Sequence, residues 1–310
     1  MSKMANRIVY GEALCRLAGQ HMFYVMDADL SKATGTKRFA DAYPERFFDM
    51  GIAEQNLMAT AAGMSSFGTP VIASTFAMFG AGRAYEQIRN SIAYPRANVK
   101  IVCSHAGVMI GEDGASHQCL EDLALMRVLP GMTVLAPCDG WETQSLLSQI
   151  LSEDGPCYMR FGRREVEQVH KNGTPIRIGR AVRLREGNDV SLIACGEMVQ
   201  ECLKACEMLK ERGISAGLID MHTVKPLDRE AVCQAAKETG LVVCVEDHSV
   251  IGGLSSAVAE VMAEYGRGRL ARIGIEDRFG CSGQYGYLAE HFGLSAARIA
   301  EKVEAMKMGE

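Results

Sequence analysis

The sequence predicts an α/β protein of two domains, each a parallel sheet covered by helices. Three observations lead there. The chain's 310 residues exceed what one core usually serves. Short β-rich runs alternate with helical patterns along its length, the arrangement of parallel sheets with helical crossovers. Between residues 162 and 180 the alternation lapses into polar turn formers such as Arg164, His170, Asn172, Gly173 and Pro175. The linker is expected there, at 166–180, between domains at 1–165 and 181–310.

In the first domain, β-branched and apolar runs at 71–75, 99–104, 133–136 and 157–160 read as strands, and 54–66, 85–92, 120–128 and 141–151 as helices. In the second, strands are expected at 190–194, 216–220, 241–245 and 272–275, with helices at 198–212, 228–239, 253–265 and 296–305. The helix at 198–212 places Val199, Cys202, Leu203, Cys206 and Leu209 on one stripe, so its cysteines are core packing rather than ligands. Cys138-Asp139-Gly140-Trp141 reads as a turn into a helix, and Ser295 as the N-cap of the last one.

A formal charge of −5 with 48% apolar and 23% charged residues describes a mildly acidic globular protein. It lacks the basic face that a nucleic-acid partner requires. The first twelve residues carry no apolar leader, and no apolar run approaches the roughly 20 residues that span a bilayer. A cytoplasmic protein with no membrane partner is expected. The eleven cysteines are scattered singly, without Cys-x-x-Cys or zinc spacing, and are expected to be reduced, buried thiols.

The stretch richest in chemistry is Asp49-Met50-Gly51-Ile52-Ala53-Glu54-Gln55-Asn56, where one glutamate enters a helix of small and apolar residues. Desolvation would hold its proton and the helix N-terminus would release it. Ser74-Thr75-Phe76-Ala77-Met78-Phe79 follows, then His105, then the polar run Gly111-Glu112-Asp113-Gly114-Ala115-Ser116-His117-Gln118, in a loop between strand and helix where α/β folds place ligands. Taken together these motifs resemble the pyrimidine-binding domain of transketolases and, more distantly, deoxyxylulose-phosphate synthase. Met221-His222-Thr223-Val224-Lys225-Pro226-Leu227-Asp228 resembles the C-terminal domain of the same family, so the likeness spans essentially the whole chain.

The resemblance implies a fold of a pyrimidine-binding thiamine-diphosphate domain followed by a transketolase C-terminal α/β domain. It implies transfer of a two-carbon ketol unit from a ketose phosphate to an aldose, with thiamine diphosphate and Mg²⁺ as cofactors. Glu54 would be the catalytic acid on N1′ of the aminopyrimidine. Phe76 and Phe79 would sandwich that ring, and Ile52 would also contact the cofactor. On the substrate side, His105 would lie near the phosphate, Asp113 would read the C2 hydroxyl, and His117 would bind sugar hydroxyls and assist catalysis. Arg160 and Arg7 would clamp the phosphate, and Ser31 and Lys32 stand near enough in sequence to reach substrate.

Transketolases also need a Gly-Asp-Gly segment, followed some thirty residues later by Asn, to hold Mg²⁺ and the diphosphate. No such segment occurs in this sequence, so no metal ligand is expected here. The metal and diphosphate ligands are expected from a separately encoded N-terminal transketolase subunit, in an α2β2 assembly with cofactors at subunit interfaces. The competing expectations are a deoxyxylulose-phosphate synthase-like half, a 2-oxoacid dehydrogenase E1 β-like subunit, a transketolase acting on a sulfonated sugar, and a non-catalytic partner.

Overall fold

The computed structural model describes residues 3–309; the outermost ends of the expected domains, Met1, Ser2 and Glu310, lie outside them. A seven-stranded sheet runs in the order Thr223–Lys225, Thr133–Leu135, Cys157–Arg160, Val99–Ser104, Val71–Phe76, Tyr24–Asp27, Phe47–Asp49. All its pairings are parallel except that of Thr223–Lys225. A second sheet of five strands runs Arg269–Ile275, Leu241–Ser249, Val190–Ala194, Ala216–Asp220, Val182–Arg185, with only the last antiparallel. Central strands such as Val71–Phe76 and Val190–Ala194 are buried at every residue because helices cover both faces, which is why they read as largely apolar runs without a polar face.

The helix Met198–Glu211 buries Val199, Cys202, Cys206 and Leu209 as its stripe requires. Asp139 caps Gly140–Ser152 by accepting from the Glu142 amide, and Ser295 caps Ala296–Met308 through the Arg298 amide. All eleven cysteines are free, and most are buried. No helix among the described residues is long and apolar enough to cross a membrane.

Three features depart from the sequence expectations. The helix expected at 85–92 is one α-turn, Tyr85–Gln87, between two π-helical turns, Met78–Arg83 and Ile88–Ala93. The N-terminal helix Asn6–Leu17 and the strand Tyr24–Asp27 carry too little periodicity to be read, the helix being nearly apolar-symmetric around its axis. Thr223–Lys225 crosses over to become the antiparallel edge of the first sheet, pairing Thr223 with Leu135 and Lys225 with Val134. The first sheet is therefore completed by residues from far along the chain.

Candidate active site

The site forms at the carboxyl ends of the first sheet, where ligands sit in open α/β folds. Glu54 is the first residue of the helix Glu54–Ser65 and is 2% exposed. Its Oε2 accepts from Arg83 Nη1 at 2.8 Å. The same Arg83 guanidinium lies 4.5 Å from the centre of the Phe79 ring. One cation therefore joins the buried carboxylate to the aromatic face, and the Met78–Arg83 turn makes this possible by wrapping Arg83 back over Phe79.

Phe76 ends the strand Val71–Phe76. Its ring stacks on Phe79 at 5.8 Å and 23°, and His105 covers Phe76 at 3.8 Å and 25°. The expected sandwich is thus not formed by these two rings. They pack on each other, and a third ring between them would need about twice a normal stacking separation. The Phe79 face beneath Arg83 is the place where a planar ring would reach Glu54. Ile52 is 79% exposed on the loop leading to Glu54.

His105 follows the strand Val99–Ser104 in a left-handed conformation, φ 59°. It is 4% exposed, with Nδ1 2.8 Å from Ser104 Oγ. Burial pushes its imidazole down to about 3, with Arg163, Arg7 and His117 adding repulsion. It is a neutral hydrogen-bonding group at physiological pH, not a cation facing a phosphate. His117 meets Phe79 edge-on at 5.1 Å and keeps Nδ1 2.9 Å from Ser116 Oγ.

The loop carrying Asp113 and His117 is fastened from behind by the second domain. Gln118 Nε2 donates to the carbonyls of Val108 at 2.7 Å and Cys281 at 2.9 Å. A Cβ on Gly114, φ 74°, would lie 2.5 Å from Ser282 Oγ, so glycine permits this contact. Phe79, Arg83, Ser116 and Phe279 line an open cleft of about 450 Å³ between the two parts.

The arginines divide differently from the sequence expectation. Arg160 is 7% exposed; its Nη1 lies 3.2 Å from Asp122 Oδ1 and its Nη2 donates to the Asp247 carbonyl at 3.0 Å. It braces the two domains. Arg163, three residues on, is 46% exposed, and its Nη1 donates to Ile110 O at 2.8 Å and Asp113 Oδ2 at 3.3 Å. Arg7 is half-buried on the helix Asn6–Leu17, and its Nη1 donates to Ala33 O at 3.3 Å. Ser31 and Lys32 lie on the short helix Ser31–Thr34. Arg83 and Arg163 were not among the site residues read from sequence because each stands beside the matched motif rather than in it.

Two mainly parallel-sheet domains, with a buried glutamate beside a phenylalanine face and polar loops above the first sheet, define a two-domain α/β protein with its candidate site at the strands' carboxyl ends. Family models agree: the transketolase pyrimidine-binding domain matches residues 2–168 and the transketolase C-terminal domain residues 179–299. A Methanocaldococcus jannaschii protein named as a transketolase C-terminal section is 48% identical, over 96% of this chain and 95% of its own. The 6-deoxy-6-sulfo-D-fructose transketolase subunit SqwH of a Clostridium species (strain MSTE9) is 42% identical, over 88% and 85%. A solved structure titled a split gene transketolase, inactive beta4 tetramer, superposes with TM-score 0.89 at 47% identity, covering 98% of both chains. The chain belongs to the transketolase family and corresponds to the C-terminal half of its members.

Proposed function

We propose that this chain is the C-terminal subunit of a two-subunit, thiamine-diphosphate-dependent transketolase that moves a two-carbon ketol unit from a ketose phosphate to an aldose. The observation that carries the reading is Glu54, buried at a helix start beside the Phe79 face that Arg83 covers. The relatives named as a section, a subunit and a split-gene product support the two-subunit form.

The residues fit the pyrimidine half of the cofactor: an apolar face from Phe79 and a lone buried carboxylate at its edge. They do not form a Mg²⁺ site there. The single close cluster of His, Cys, Asp and Glu among the described residues lies elsewhere, around Cys138. The ion and diphosphate ligands are therefore assigned to an N-terminal subunit in an α2β2 assembly. Bound thiamine diphosphate supplies the carbon nucleophile that carries the two-carbon unit.

Glu54 holds the proton shared with N1′ of the pyrimidine. On this reading the ring takes the place over Phe79 that Arg83 fills, and Arg83 moves aside from Glu54 to admit it. Neutral His105 donates to and accepts from sugar hydroxyls, His117 hydrogen-bonds with others along the sugar, and Asp113 reads the hydroxyl nearest the reacting carbon. Arg163 with Arg7, rather than Arg160, meets the distal oxyanion through the guanidinium fork.

Arginine forks also suit a sulfonate, and the 42% identical relative is named for a sulfonated fructose, which favours that substrate as a second reading. Reconstitution with an N-terminal half tests both. C2 transfer from xylulose 5-phosphate to ribose 5-phosphate supports the phosphate reading, transfer from 6-deoxy-6-sulfofructose alone supports the second, and transfer from neither sinks both.

A further inference from the structure

Away from the site, Cys138, Glu142, His170 and Asp220 converge with one donor atom each, all within 4.8 Å of one another. All four are buried, and three parts of the chain supply them. Cys138 and Glu142 flank the start of the helix Gly140–Ser152, His170 lies in the expected linker, and Asp220 ends the strand Ala216–Asp220. The donors already touch: His170 Nε2 hydrogen-bonds with Asp220 Oδ2 at 2.8 Å, Cys138 Sγ donates to the same oxygen at 3.2 Å, and His170 Nε2 lies 3.6 Å from Glu142 Oε1, so an ion at their centre would replace both hydrogen bonds.

These hydrogen bonds account for only part of the cluster. Glu142 Oε1, Asp220 Oδ1 and His222 Nε2 are buried without a partner, and His222 Nε2 points toward Glu142 Oε1 from 3.9 Å. An unmet buried carboxylate oxygen is costly, and two of the four converging side chains, Glu142 and Asp220, each carry one, which calls for a ligand they can share. We propose that this seam binds a zinc ion through Cys138, Glu142, His170 and Asp220, stapling the first domain, the linker and the second domain. The donor set is one sulfur, one imidazole and two carboxylate oxygens, all types that zinc takes in closed tetrahedral sites.

The surroundings hold these ligands in place. Asp139, itself buried, accepts from the amides of Glu142, Val169 and His170 at 2.8, 2.8 and 2.7 Å, locking linker to helix. Glu142 Oε2 accepts from the Cys138 amide at 2.7 Å, leaving Oε1 for the ion.

The test uses full chain purified from zinc-supplemented cells, with metal content measured by mass spectrometry after desalting. The expected result is about one zinc per chain, falling about tenfold or more in Cys138→Ala and His170→Ala but not in Cys206→Ala. Cobalt exchanged into wild-type protein should show thiolate-to-cobalt absorption that Cys138→Ala lacks, and this wild-type measurement stands even if a variant misfolds. Wild-type protein that retains no zinc and takes up no cobalt would overturn the proposal, leaving protons alone to neutralise the cluster. Equal zinc in all variants would overturn it too.

Discussion

At the residue scale, the Glu54–Arg83–Phe79 contact separates the protein at rest from the protein at work. Replacing Glu54 by Gln removes the shared proton but keeps the shape, so turnover of the reconstituted enzyme should fall by about a thousandfold or more while circular dichroism stays unchanged. Arg83→Ala removes a competitor for the ring's place. A half-exposed ion pair and a cation–π contact are each worth about 1 kcal/mol or less, so cofactor should bind about fivefold tighter by calorimetry; weaker binding would show that Arg83 assists the ring instead. Arg163→Ala should raise the KM for a phosphorylated sugar about tenfold with little effect on melting. Arg160→Ala should instead cost about 3–5 kcal/mol of stability, because it strands Asp122 in the interior. His105 adds a pH signature. Its folded value, about 3, lies below the ordinary imidazole value of about 6.5, so the unfolded chain binds the extra proton between those limits. Stability is therefore full above pH ~6.5 and falls with acid, by about 1–2 kcal/mol at pH 5. Denaturant midpoints at the two pH values should converge in His105→Asn.

At the element scale, most of the fold was legible, and the misses share a cause. The buried strands Val71–Phe76, Val99–Ser104 and Val190–Ala194 declare themselves because both faces are covered and β-branched and apolar residues dominate, with few polar positions such as Lys100 and Ser191. The helix Asn6–Leu17 does not, because its buried residues include Asn6, Gly11 and Ala13, and nothing in its polarity alternates at helical spacing. Gly11 is there for contact: a Cβ on it would lie 2.3 Å from the Gly35 carbonyl oxygen, and one on Gly35, φ 93°, would lie 2.0 Å from that of Arg7. Gly35→Ala should therefore cost about 2–3 kcal/mol by denaturation and disturb Arg7 along with the helix. The π-turns were invisible because their extra residue leaves composition unchanged. The motifs identified Glu54, Phe76 and the loop at 111–118, but pairing partners such as Arg83 emerge only once the Met78–Arg83 turn brings together residues 29 apart.

At the scale of the molecule, the two sheets are bound to each other through polar contacts that also shape the site. Asp247 receives the Val108 amide at 2.8 Å, Gln118 reaches the Cys281 carbonyl, and Thr223–Lys225 closes the first sheet. The domain motifs were legible one at a time; this stitching was not, because it joins short segments whose pairing carries no periodic signal. The central claim concerns assembly: a chain holding Glu54 and the pyrimidine face works only with a partner holding the diphosphate. The most direct measurement is two-carbon transfer by this chain, by an N-terminal transketolase half, and by the two mixed, each with thiamine diphosphate and Mg²⁺. The account predicts transfer only in the mixture, lost again in Glu54→Gln. Turnover by this chain alone, or a mixture whose activity ignores Glu54→Gln, would contradict it.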